Sequence, residues 1–204
     1  MNREGEEVFR TTIATHIDTV RQLSEKTEVL AAIARVMLSS LRSGGKILFC
    51  GNGGSAADSQ HLAAELVGRF RRERVGLPSI ALTTDTSILT AVANDYGYDS
   101  VFSRQVEALA RAGDVLVGIS TSGNSPNVVA ALERGRGIGV STVAFTGRGG
   151  GKMAHLADHL LAIDASETAR VQETHILAGH MLCDWVDLHW AYEENPKVGN
   201  QISA

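Results

Sequence analysis

From Lys46 onward, short continuous apolar runs alternate with segments of helical periodicity. The runs at 46–50, 79–83, 114–120, 141–146 and 159–163 predict five strands. Helical patterns separate them at about 55–70, 87–93, 101–112, 125–135 and 151–157, and a longer one follows at about 168–192. Short strands without polar alternation are covered on both faces, and alternation with helices makes the sheet parallel. Crossovers in such a sheet are right-handed, and ligands bind outside the carboxyl ends of its strands. The predicted fold is a three-layer α/β unit of the flavodoxin-like kind, with extra N-terminal helices. Its chemistry belongs in the loops after Cys50, Thr83, Ser120 and Thr146.

The extra helices occupy about 7–42. One stripe carries Phe9, Ile13, Ile17 and Val20, and a second carries Leu30, Ile33, Met37 and Leu41. Ser24-Glu25-Lys26-Thr27 separates them and Gly44-Gly45 closes the second. Together the stripes exceed what one sheet face needs, which favours a helical bundle with another subunit over simple packing on the sheet. No repeat or linker divides the chain, so 1–204 reads as one domain: oligomerisation helices, then a core and C-terminal helix over about 46–192. The tail from Lys197 is expected to fray.

Composition narrows the function. A net charge of −4 and an aromatic content of 5% argue against a nucleic-acid binder. They leave room for a small phosphate ester, which needs only local donors. Cys50 and Cys183 are the only cysteines and suggest neither a disulfide framework nor a cysteine zinc site. The N-terminus lacks the apolar segment of a signal peptide, and no run approaches membrane length. A cytoplasmic protein without membrane contact is expected.

Three loops and one helix carry candidate chemistry. After the first strand comes Gly51-Asn52-Gly53-Gly54-Ser55, a strand–turn–helix junction that points N–H groups and a hydroxyl at one spot. It is neither a Walker A loop nor Gly-x-Gly-x-x-Gly. One turn into its helix, His61 and Glu65 share a face at i, i+4, as a metal site or a proton-transfer pair requires. After the third strand comes Ser120-Thr121-Ser122-Gly123-Asn124-Ser125-Pro126. Ser125 fits the N-cap and Pro126 the first helical position. Capping needs one hydroxyl, whereas four converging hydroxyls suit a phosphate. The third loop offers Asn94-Asp95 after a short helix, either as a polar turn or as partners for sugar hydroxyls. On the last helix, His180 is a lone histidine unless it joins His61 and Glu65. Two histidines, a glutamate and an amide oxygen would suit zinc with an open position for substrate. Residues 172 and 180, however, stand about 12 Å apart along an ideal helix and ~80° apart in angle.

Taken together, these motifs resemble those of the phosphoheptose isomerases, which interconvert sedoheptulose 7-phosphate and its aldose within the sugar-isomerase (SIS) domain superfamily. The match runs from the N-terminal helices through Gly51–Asp58, His61, Glu65, Asn94-Asp95 and 120–125 to Gln172-Glu173 and His180. The resemblance implies a five-stranded parallel sheet and a homotetramer built on a central helical bundle, with active sites at subunit interfaces. It implies phosphate on Ser120, Thr121, Ser122 and Ser125, and sugar lined by Asn52, Gly53, Gly54, Ser55, Asn94 and Asp95, with Glu65 and Gln172 also facing substrate. By the same resemblance one zinc ion per subunit sits on His61, Glu65, Gln172 and His180.

Isomerisation to D-glycero-D-manno-heptose 7-phosphate moves a proton between C1 and C2 through a cis-enediol. Glu65 is the candidate base and His180 the candidate acid. A tight ligand is not a free base, so their metal and proton-transfer roles are expected to alternate. Two non-enzymatic alternatives share the scaffold. One is an adaptor of the replication-initiator-associating type, whose branch lacks the pair matching Glu65 and His180. The other is a phosphosugar-sensing regulatory domain, which needs only the serine loop.

Overall fold

The computed structural model describes residues 3–194, so the tail expected to fray lies outside the described residues. Five parallel strands form one sheet: β1 (Ile47–Gly51), β2 (Ser79–Ala81), β3 (Val115–Ser120), β4 (Ser141–Thr146) and β5 (His159–Ala162), in the order β2-β1-β3-β4-β5. All five predicted strands are present. Along β1 the side chains alternate between two cores. Ile47 and Phe49 join Val115, Val117 and Val143 on one face, while Leu48 and Cys50 join Leu116 and Ala144 on the other. Both faces are covered, which is why the strands read as unbroken apolar runs.

The first face is covered by α2 (Thr27–Arg42), α3 (Gly54–Val67) and α7 (Thr168–Glu194), and the second by α5 (Ser103–Leu109) and α6 (Pro126–Gly137). The chain turns outward in opposite directions from β1 and β3, which are neighbours. Their carboxyl ends therefore flank the crevice where a doubly wound sheet receives its ligand. Among the described residues no helix is long and apolar enough to cross a membrane.

Three sequence expectations shift. The helix expected at 87–93 is longer, α4 (Thr86–Tyr96): the Asp85 carboxylate accepts from the Ile88 N–H at 2.9 Å, and Gly97 ends the helix at φ 84°. Asn94 and Asp95 thus belong to its last turn and not to a loop. The helix expected at 101–112 begins later, as α5, after a 3₁₀ turn at Tyr98–Ser100. The helix expected at 151–157 is a 3₁₀ turn, Gly151–His155, because Gly149, Gly150 and Gly151 all take positive φ. Those glycines permit a close approach. A Cβ on Gly123, itself at φ 66°, would lie 2.2 Å from the Gly150 carbonyl oxygen.

At the N-terminus α1 (Arg3–Arg21) runs into a 3₁₀ turn, Gln22–Glu25, before α2. Among the described residues nothing covers its stripe: Val8, Phe9, Ile13 and Ile17 are exposed, Phe9 to 67%. The end of α1 is fastened to α7, where His16 Nδ1 meets Glu173 Oε2 at 2.7 Å and Arg170 donates to the Thr12 carbonyl at 3.1 Å.

A buried ion pair joins α3 to α7. Arg74 Nε donates to Asp187 Oδ1 at 2.6 Å, and neither side chain is exposed. Arg74 also donates to the carbonyls of Glu65, Leu66, Gly68 and Val75. The other Asp187 oxygen accepts from the amides of Phe70, Arg71 and Arg72. Burial alone would raise the Asp187 carboxyl. The Arg71 and Arg72 amides and the Arg74 guanidinium outweigh it and hold the carboxyl below its usual value. Removing one partner strands the other charge in a dry site. Arg74→Met is therefore expected to lower the unfolding free energy by about 3–5 kcal/mol in urea titrations. A loss below about 1 kcal/mol, as for a surface pair, would contradict this assignment.

Candidate active site

The serine loop closes on itself at the carboxyl end of β3. Ser120 Oγ lies 2.8 Å from Ser125 Oγ and 3.3 Å from Ser122 Oγ. Ser125 occupies the N-cap position of α6 and Pro126 the first turn, as the sequence suggests, yet the Ser125 hydroxyl caps nothing. Three hydroxyls thus converge at a helix start, which favours an anion there. Thr121 is half-buried beside them and forms no hydrogen bond to the cluster. Asn124 fixes the loop: its N–H donates to Ser122 Oγ, and its Oδ1 accepts from the Lys152 N–H.

Across the crevice, the loop after β1 presents Asn52. Its carboxamide pairs reciprocally with that of Asn127, each Nδ2 donating to the other Oδ1 at 2.9 Å. Tyr98 Oη adds a third bond, donating to Asn52 Oδ1 at 3.3 Å. Gly53 and Gly54 are exposed and Ser55 is buried at the start of α3. Asn94 and Asp95 are exposed and bond each other, Asn94 Nδ2 to Asp95 Oδ1 at 2.8 Å. No hydrogen bond connects either to the other candidate residues.

On α3 and α7, three groups from distant parts of the chain converge. His61 Nε2 and His180 Nε2 are 2.8 Å apart, and Glu65 Oε1 is 3.3 Å from His61 Nε2. One ligand atom from each of the three lies within 4.8 Å of the others. The rings meet edge to face, with centroids 5.0 Å apart, and Phe70 stacks on His180 at 5.4 Å. Two imidazole nitrogens directed at one point beside a carboxylate match the donor set of a divalent ion such as zinc.

Gln172 is fastened beside them. Its Nε2 donates to Asp58 Oδ1 at 3.2 Å, leaving Oε1 as the atom it can offer. Its carboxamide passes so close to Gly54 that a Cβ there would lie 2.6 Å from it. Asp58, the residue that holds Gln172, stands three residues before His61 on α3.

Known proteins resemble this chain in sequence and in fold. The SIS domain family model matches residues 12–147. The phosphoheptose isomerase of Akkermansia muciniphila is 52% identical over 181 residues, covering 89% of this chain and 96% of that protein. The Aliarcobacter butzleri phosphoheptose isomerase is 56% identical over 176 residues, covering 86% and 90%. Among solved structures, the phosphoheptose isomerase of Neisseria gonorrhoeae superposes with a TM-score of 0.83 at 50% identity, covering 89% of this chain and 98% of that one.

The chain belongs to the phosphoheptose isomerases of the SIS domain family.

Seen as a SIS domain, the site contains residues that sequence reasoning missed. Asp58 is buried, its Oδ2 has no hydrogen-bond partner among the described residues, and its charge interacts with His61 and His180. Burial pushes its carboxyl above the ordinary value, against the pull of the Gln172 hydrogen bond and the two histidines. Its position three residues before His61 was the available signal. Asn127 and Tyr98 carried no signal, since a single asparagine in a helix or a tyrosine after a glycine has many uses. Both cysteines drop out of the chemistry, because burial pushes their thiols up to about 12.

His175, one turn before His180's turn on α7, is a structural histidine. Its ring is wholly buried, Nε2 donates to the Thr146 carbonyl at 3.0 Å, and Nδ1 has no partner among the described residues. Burial lowers its pKa from 6.5 to about 4, against the raising effect of the Thr146 bond. Between those values the unfolded chain binds a proton that the folded chain refuses. Its share of stability is thus complete above pH 6.5 and is lost as pH falls toward about 4. The expected loss is on the order of 2–3 kcal/mol. Urea titrations at several pH values should show that slope flattened in His175→Gln.

Proposed function

We propose that the protein isomerises sedoheptulose 7-phosphate to D-glycero-D-manno-heptose 7-phosphate through a cis-enediol, for heptose biosynthesis. The observation that carries this reading is the identity of more than half of the aligned residues with phosphoheptose isomerases over nearly their whole lengths. The serine cluster and the His–Glu–His constellation supply matching chemistry. The adaptor and sensor alternatives need no such acid–base constellation. A TM-score of 0.62 at 17% identity to a Vibrio vulnificus NanR complex reflects the shared fold alone.

The work divides among named side chains. Ser120, Ser122 and Ser125, with Thr121 beside them, hold the phosphate with hydroxyls and the α6 N-terminus. Asn52, Gly53, Gly54 and Ser55 line the sugar, with Asn94 and Asp95 reaching its polyol part. Glu65 takes the proton from one carbon and returns it to the neighbouring one, and His180 exchanges the oxygen-bound proton. His61, Glu65, Gln172 and His180 would hold zinc, which polarises the carbonyl when bound. Asp58 fixes the Gln172 carboxamide in this arrangement, as an outer partner orients a ligand.

The uncovered α1 stripe supports the homotetramer and interface-borne active sites. The composition supports a cytoplasmic setting. We read the chain as one SIS domain preceded by its assembly helices.

The decisive assay is incubation of purified protein with sedoheptulose 7-phosphate and detection of the aldose. Glu65→Gln is expected to lower kcat by roughly 10²–10⁴-fold, the usual worth of a general base, with inorganic phosphate still inhibiting competitively. Wild-type turnover in that variant would remove Glu65 from the mechanism. Metal analysis should find about one zinc per subunit, lost on chelation together with activity.

A further inference from the structure

Two loops of this site have separate tasks, one holding phosphate and one lining sugar, and a ligand spanning both is placed only if the loops are in fixed relation. The contact between them is the Asn52–Asn127 pair. Asn127 sits in the first turn of α6, directly after the serine loop, and is 1% exposed. Both polar atoms of its carboxamide are spent on Asn52. A third loop joins at the same point, because Tyr98 follows Gly97 at the end of α4 and reaches Asn52 Oδ1. With Oδ1 accepting from Asn127 and Tyr98, and one Nδ2 hydrogen given to Asn127, Asn52 keeps one hydrogen uncommitted.

From this juxtaposition we infer that Asn127 and Tyr98 are positioning residues. They lock the Asn52 carboxamide so that its remaining N–H meets the sugar at a fixed distance from the phosphate hydroxyls. The inference rests on the isomerase reading and deepens it. Neither residue belongs to the His61–Glu65–His180 group or to the serine cluster. A carboxamide at 127 presents a donor atom and an acceptor atom side by side, which matches the Asn52 carboxamide at two points. An aspartate there is acceptor-only and faces Asn52 Oδ1 with a like partial charge.

The test is a double-mutant cycle read on two ligands. In Asn127→Ala, kcat/KM for sedoheptulose 7-phosphate should fall about tenfold, the scale of one lost buried hydrogen-bonded partner. The inhibition constant of inorganic phosphate should stay within about twofold, because the serine cluster is intact. On an Asn52→Ala background, Asn127→Ala should cost less than about twofold more, since there is nothing left to position.

Additive losses would overturn the inference, and so would phosphate inhibition that weakens in step with kcat/KM. Asn127→Asp keeps the volume of the side chain and should not restore activity; full activity in it would also overturn the inference. Should the Asn127 variants fail to fold, Tyr98→Phe alters an exposed residue, and its cycle with Asn52→Ala decides the same question. A wild-type protein that converts nothing would reject the isomerase reading instead. The cycle is then read on calorimetric affinity for sedoheptulose 7-phosphate against inorganic phosphate, with the same outcomes.

Discussion

A carboxylate with no access to water must find a partner for each of its oxygens, and Asp187 finds all of them in the segment that follows α3. That requirement fixes the geometry of the candidate metal site. The Arg74 guanidinium that neutralises Asp187 also holds the Glu65 carbonyl, so the backbone bearing Glu65 is set by the same contact. The Phe70 amide bonds Asp187, and the Phe70 ring stacks on His180. One buried ion pair thus ties the helix carrying His61 and Glu65 to the helix carrying His180. Such pairs are weak contributors to net stability, since desolvation offsets attraction. Here the pair contributes position.

The second constraint is the sheet order. With β1 and β3 adjacent and their helices on opposite faces, the loops after them open toward each other. The serine cluster belongs to one and Asn52 to the other, and the Asn52–Asn127 pair closes the gap. Glycines make this packing possible where backbones nearly touch, as where Gly123 meets Gly150. The serine cluster after β3, the asparagine pair beside β1 and the His61–Glu65–His180 group on α3 and α7 are the three parts of the candidate site.

Buried polar atoms without partners mark where this economy stops. Asp58 Oδ2 and His175 Nδ1 are both orphaned, with different consequences. His175 lies between sheet and helix, where burial keeps it neutral and its single bond to Thr146 fastens α7 to β4. Asp58 lies beside His61 and His180, whose attraction and the Gln172 hydrogen bond offset part of the cost of burying its charge.

Much of this was legible in the residues alone. Apolar runs located all five strands, because a strand buried on both faces has no polar alternation to confuse the reading. The serine loop, His61 and Glu65 stood out because their spacing is local, within one turn of chain or helix. Helix limits near Gly97 and Gly151 were misjudged, since periodicity does not report the sign of φ at a glycine. The pairing of His61 with His180 across 119 positions was expected only through the family resemblance, and the tertiary structure alone decided Gln172 with Asp58 across 114 and Asn52 with Asn127 across 75. The physical reason is that periodicity records which side of an element is dry. Which polar group meets which depends on strand order and helix crossing, and no single stretch of the chain contains either.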